Sequence, residues 1–142
     1  MSETPLVPTK RVAALARLFE LASRQTHARA HADGLYPAQW AALRYFKTVS
    51  GSHATTAGLA RYQGLALGAV ARTVRTLMAR GYLHKTGSAG RGRAEIVELT
   101  AAGEALLQRD PLLPIAAVLA TVPAEAQDVL AETLEKIVAL KG

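Results

Sequence analysis

The sequence predicts a mainly helical chain that carries one small β-hairpin, an α+β fold. Three observations predict it. Apolar residues recur at helical spacing along most of the 142 residues. Alanine and leucine are abundant while aromatics are few, a balance that favours helices. After Gly81 the period changes from 3.6 to 2 for two short stretches, separated by a tip with three glycines.

The elements follow in order. Met1 to Pro8, with Pro5 and Pro8, reads as a loose tail over residues 1–8. From Thr9 to about His31, Val12, Leu15, Ala16, Phe19 and Ala22 form a helical stripe, closed by Asp33-Gly34. Pro37 opens a second helix through Trp40, Leu43 and Phe46 to about Val49. Gly51-Ser52-His53 reads as a loop. Thr55 or Thr56 caps a short third helix to about Tyr62. Gly64 separates it from a fourth helix, about Leu67 to Arg80, with Val70, Val74, Leu77 and Met78 on its buried side. Tyr82–Thr86 and Ala94–Leu99 are the strands, joined by the basic tip 87–92. Thr100 caps the next helix, to about Arg109, where Pro111 and Pro114 interrupt it. Leu112, Leu113, Ile115, Val118 and Leu119 follow the break without an assigned element. Pro123 opens a last helix with Val129, Leu130, Leu134, Ile137 and Val138 at helical spacing.

Charge is not spread evenly over this order. Between Gly34 and Ala94 there is no acidic residue, but there are nine basic ones: Arg44, Lys47, Arg61, Arg72, Arg75, Arg80, Lys85, Arg91 and Arg93. The remainder has eight basic and eleven acidic residues, a net of −3. Basic charge drawn into one segment is the footprint of a polyanion partner. Two short helices, a tight turn and a basic hairpin make a winged helix-turn-helix over residues 34–100. In that arrangement the second helix of the pair enters the major groove of double-stranded DNA, and the wing reaches the adjacent backbone or minor groove.

Other classes are excluded or disfavoured. The absence of cysteine removes disulfides, thiolate catalysis and Cys-based zinc sites. No apolar run reaches a membrane span and no signal-peptide pattern opens the chain, so the expectation is a cytoplasmic protein without membrane contact. The histidines have no paired nucleophile and there is no phosphate-binding glycine loop, so no enzyme and no cofactor are expected. His27 and His31, four apart, could place two imidazoles on one metal. No third ligand lies nearby, and no metal is expected.

The residues resemble the MarR family of bacterial transcription regulators over nearly the whole chain. Leu35-Tyr36-Pro37-Ala38-Gln39-Trp40 is similar to the approach to the family's second helix. Gly58-Leu59-Ala60 matches its "ELA" site, with glycine in place of the acid. Val70, Arg72, Val74 and Leu77, ending in Arg80-Gly81-Tyr82-Leu83, track the recognition helix and its exit. Arg93, then Leu99-Thr100-Ala101-Ala102-Gly103, matches the wing arginine and the "LTxxG" of the following helix. Three features depart from the family. Ala66, followed by Leu67, Gly68 and Ala69, replaces a Ser or Thr cap. Arg91 replaces an acid two residues before the wing arginine. Pro111 and Pro114 break a helix that is usually long.

The resemblance implies a homodimer joined through the first and last helices, residues 9–33 and 101–142, binding a pseudo-palindromic operator. Leu15 and Phe19 on the first helix, with Leu130, Leu134 and Ile137 on the last, are the candidate dimer contacts. A lobe of this size cannot cover the last helix's apolar row alone. For DNA the candidates are Arg72, which can fork onto guanine or hold a phosphate, Arg75 and Thr76 beside it, Lys85 on the hairpin, and Arg91 and Arg93 at its tip. The resemblance also implies a pocket for a small aromatic effector, bordered by the segment holding Tyr36, Trp40 and Tyr45. Core packing alone also explains those aromatics. The expected function is a dimeric repressor whose operator is released by an effector. The alternatives are a sequence-tolerant architectural DNA binder and a winged-helix protein-interaction module that has lost DNA binding.

Overall fold

The computed structural model describes residues 7–88 and 94–140. Its order is α1 (Lys10–Arg29), α2 (Pro37–Thr48), a 3₁₀ turn (Gly51–His53), α3 (Thr56–Gln63), α4 (Leu67–Ala79), β1 (Leu83–Ser88), β2 (Glu95–Leu99), α5 (Ala101–Leu107), α6 (Leu113–Leu119) and α7 (Ala124–Val138). The chain divides into two compact units, which meet in sequence between Asp110 and Pro111.

The first unit holds the winged helix-turn-helix. Its core gathers one face of each element: Trp40, Leu43 and Phe46 from α2, Leu59 from α3, Val70, Val74 and Leu77 from α4, Leu83 and Val97 from the hairpin, and Leu106 from α5. The strands pair antiparallel with Leu83 opposite Leu99 and Lys85 opposite Val97. The register shifts between Lys85 and Gly87, a bulge of the kind that bends a strand. The hairpin is tied to the helices at its base. Val97 N–H donates to the Ala54 carbonyl at 2.7 Å, and the Thr100 hydroxyl donates to the Gly81 carbonyl at 2.5 Å.

Helix ends follow the sequence signals. Thr9, Thr55 and Thr100 each accept the N–H three residues on, capping α1, α3 and α5. Helix α5 belongs to the first unit. Leu106 is buried in its core, which ties α5 to the hairpin and α2.

Two glycines are set by close approach. A Cβ on Gly58 would collide with the His53 carbonyl and stand 2.7 Å from the Tyr45 hydroxyl oxygen. That explains the missing acid of the "ELA" site: the volume where its side chain would start is taken by the His53 carbonyl and by the Tyr45 hydroxyl, which donates to that carbonyl at 2.6 Å. A Cβ on Gly103 would collide with the Tyr82 carbonyl where α5 crosses the hairpin base.

The second unit is a helical pair. Pro114 sits in the first turn of α6, where a missing N–H costs nothing. The proline break thus starts a helix, an element the sequence reading left unassigned. Gln127 on α7 donates to the Leu119 and Val122 carbonyls, closing the turn between the two helices.

Gly58→Ala and Gly103→Ala are each expected to lower stability by about 1–3 kcal/mol, because backbone rather than flexible side chain must move. Gly68→Ala, where no atom lies within 4 Å of the new methyl, should raise it by about 0.5–1 kcal/mol. Urea unfolding of the three variants checks the contrast; a destabilised Gly68→Ala or a neutral Gly58→Ala would refute the packing account.

Candidate nucleic-acid interface

The position of α4 is dictated by three side chains. Val70, Val74 and Leu77 are 2%, 1% and 0% exposed, while Met78 beside them is half-buried. With 100° between successive residues, burying that stripe turns Gly68, Ala69, Arg72, Arg75, Thr76 and Ala79 outward, and all six are exposed. Thr73 lies at the edge and spends its hydroxyl on the Ala69 carbonyl at 3.3 Å. Ala66 gives the helix no side-chain cap. The first polar side chain on the outer face is therefore Arg72, one turn in.

The basic window is less free than its sequence suggests. Arg44 makes a two-pronged pair with Asp110, both bonds 2.8 Å and both groups mostly buried. Lys47 meets Glu104 at 2.6 Å and Lys85 meets Glu95 at 2.5 Å. Arg80 is held by the Gly34 carbonyl at 2.9 Å. All three acids lie outside the acid-free window in sequence and fold back onto it. Among the described residues, Arg61, Arg72 and Arg75 have no acidic partner. Of the candidate DNA contacts, Arg72, Arg75 and Thr76 share one face of α4. Lys85 stands on β1 in its ion pair. Arg91 and Arg93 lie outside the described residues.

The sequence reading singled out neither Arg61, in the last turn of α3, nor three large apolar side chains around the turn between α3 and α4, which the structure leaves exposed. Tyr62, Leu65 and Leu67 are 75%, 52% and 56% exposed. Their signal was present, because none of them falls on a buried stripe, but apolar residues at a turn are easily assigned to a core.

The candidate effector residues stand in three different settings. Trp40 has no accessible surface and donates its indole N–H to the Ala32 carbonyl at 3.2 Å, so as it stands it cannot touch a ligand. Tyr45 is buried, its hydroxyl on the His53 carbonyl. Burial pushes its phenol above the ordinary value, opposed in part by Arg61 and reinforced by Tyr62. Tyr36 is exposed and meets His31 edge-on at 5.9 Å, and His31 meets His27 likewise at 5.8 Å. An open hollow beside these histidines is lined by Ser23, Arg24, His27, Ala28 and His31.

The helices proposed for dimer contact carry uncovered apolar residues. α1 has no buried residue in its 20 positions, and Leu15 and Phe19 are 57% and 40% exposed. Within the second unit, Leu130 and Leu134 line an apolar groove with Ala116, Leu119 and Ala120, and Ile137 is half-buried. Among the described residues, no helix is long and apolar enough to cross a membrane, and no group of three or more metal-ligating side chains occurs.

No curated protein matches the sequence. Solved structures do. A Mycobacterium tuberculosis MarR family protein in complex with salicylic acid is 27% identical, with 95% of this chain and 97% of that one covered and a TM-score of 0.59. The PcaV transcriptional regulator of Streptomyces coelicolor, in complex with its natural ligand, is 21% identical, with 97% of each chain covered and a TM-score of 0.63. A Staphylococcus aureus MepR mutant bound to an oligodeoxyribonucleotide is 13% identical, with 93% and 98% covered and a TM-score of 0.61. The last two likenesses speak to the fold. Residues 33–94, which span the helix-turn-helix and the first strand of the hairpin, match the family model of MarR. The helix-turn-helix with its basic outer face, the hairpin behind it and the matched segment agree, and the chain is similar to MarR family proteins in that segment and in fold.

Proposed function

We propose that this chain is a MarR-family transcriptional regulator, a cytoplasmic, dimeric repressor that occupies its operator through the outer face of α4 and is released by a small aromatic effector. The observation that carries the reading is the face itself. Arg72, Arg75 and Thr76 are exposed together on a helix whose opposite side is locked in the core, and neither arginine has an acidic partner among the described residues. An unpaired cationic helix face beside a hairpin suits the major groove of duplex DNA. It does not suit a protein-interaction module, which would have to desolvate both arginines. Dimerisation is supported by the uncovered apolar residues of α1 and of the second unit, and it would set two α4 helices about one helical turn of DNA apart.

Effector release rests on the similar solved structures with bound ligands, one of them salicylic acid. Here Tyr36 is the one accessible member of the candidate effector residues, and the hollow near it offers His27 and His31 to an aromatic acid, with Arg24 beside them already paired with Glu20 at 2.7 Å. Trp40, buried nearby, is the single tryptophan and a reporter rather than a contact. If neither salicylate nor other aromatic acids change its fluorescence or release DNA, the effector half of the proposal fails.

Binding to duplex DNA should fall steeply with salt, by about 10³–10⁵ between 50 and 200 mM for a dimer touching roughly 6–10 phosphates. Arg72→Ala and Arg75→Ala should each weaken binding, by about tenfold or more, and flatten the salt slope. Lys47→Ala, whose charge is already answered by Glu104, should change the slope little. A slope indifferent to salt, or one that Lys47→Ala alters as much as Arg72→Ala, would contradict the assignment of the interface.

Leu15→Asp with Phe19→Asp should give a monomer by sedimentation whose winged-helix core stays folded, since both positions are exposed in the single chain and the charges disturb no core. A double variant that stays dimeric would move the interface away from α1.

A further inference from the structure

Resting on the reading as a DNA-binding protein, we infer that the turn between α3 and α4 is a detector of thymine methyl groups, with Leu65 and Leu67 as its contact residues. Among the described residues between 34 and 110, four large apolar side chains are strongly exposed. Three of them, Tyr62, Leu65 and Leu67, fall within six consecutive positions at this turn. They are not loose. The N–H of Leu65 is fixed by the Ala60 carbonyl at 3.1 Å, and the Tyr62 ring packs on Tyr45 at 5.2 Å. Leu67 stands at the mouth of a hollow of about 240 Å³, lined also by Thr55, Thr56, Lys85 and Glu95, between the start of α4 and the hairpin. The protein therefore holds apolar surface in water at the start of α4, on a backbone fixed by hydrogen bonds.

Charge decides what covers it. Arg61 precedes the patch and Arg72 and Arg75 follow it along the outer face of α4, all exposed and none with an acidic partner among the described residues. An apolar protein surface laid here would strip water from three cations without returning a counter-charge. Duplex DNA supplies phosphates for the arginines, and its major groove offers one apolar feature, the C5-methyl of thymine. The outer face of the first turn holds Gly68 and Ala69, with no hydrogen-bonding side chain before Arg72. A side chain at Gly68 would meet nothing within 4 Å, so the fold does not demand glycine there. The absence of one leaves the turn close to the groove floor and Leu65 and Leu67 prominent. The half-site should then carry thymines under this turn, next to the base pair met by Arg72. The apolar start of α4 is on this account a specificity element and not a sign of sequence tolerance.

The experiment uses the intact protein and duplexes selected from a random pool. The enriched duplex is remade with deoxyuridine for thymine, which removes only the methyls, and both forms are titrated by fluorescence anisotropy. Wild-type protein should bind the uracil form about fourfold more weakly for each contacted methyl removed. Leu65→Ser and Leu67→Ser should bind the thymine form more weakly and lose the difference between the two forms, whereas Arg72→Ala should weaken both equally. Equal binding of the two forms by the wild type would overturn the inference and leave the DNA-binding reading standing. Discrimination that survives in both serine variants would place the detector elsewhere and overturn it too. If no duplex is enriched or bound, the inference falls together with the DNA-binding reading.

Discussion

Burying Val70, Val74 and Leu77 is the constraint from which the interface follows. These three side chains lock α4 against α2, α3 and the hairpin, and a helix locked on one side has no freedom to choose its other. The outward set is then fixed by the 100° step. The hairpin depends on the same core through Leu83 and Val97, and the Val97–Ala54 hydrogen bond keeps it beside the helices. A change that loosened the stripe would reach the proposed function by rotating α4, without touching an arginine.

Most of the fold was legible from the chain because it is written in local signals. Threonine caps, prolines at first turns, glycines at ends and the change of period after Gly81 each act within a few residues, and the structure places the elements within a few residues of them. The stretch after Pro111 was not legible in that way. Pro114 reads as a breaker when the preceding residues are assumed helical, and as a helix start only when Leu113 is seen to begin one.

The candidate site was legible only in part. Helical periodicity is enough to group Arg72, Arg75 and Thr76. It cannot reveal which cations are free, because pairing is a long-range property. Asp110 lies 66 residues from Arg44 and Glu104 lies 57 from Lys47. Both acids fall outside the acid-free window, yet both fold back onto it. The glycine at 58 was visible as a departure from the family, but its cause was not, since Tyr45 reaches that space across a turn. Trp40 marks the same limit. An aromatic near a family's pocket can be lining or core, and zero exposure with a satisfied indole N–H makes it core here.

The uncovered apolar residues of α1 pose a different kind of incompleteness. A 20-residue helix with nothing buried gains little from packing, and isolated helices are marginal in water. A partner surface supplies the missing burial, which links the proposed oligomeric state to the stability of that helix.

The central claim is that the outer face of α4 is the surface covered by DNA. The chain has no cysteine, so single introduced thiols report their own surroundings without background. The direct measurement is the alkylation rate of Thr76→Cys, on that face, and of Thr133→Cys, on α7, with and without selected duplex DNA. The account predicts that duplex slows the Thr76→Cys reaction strongly and leaves Thr133→Cys unchanged. Equal rates at position 76 with and without bound duplex would contradict it.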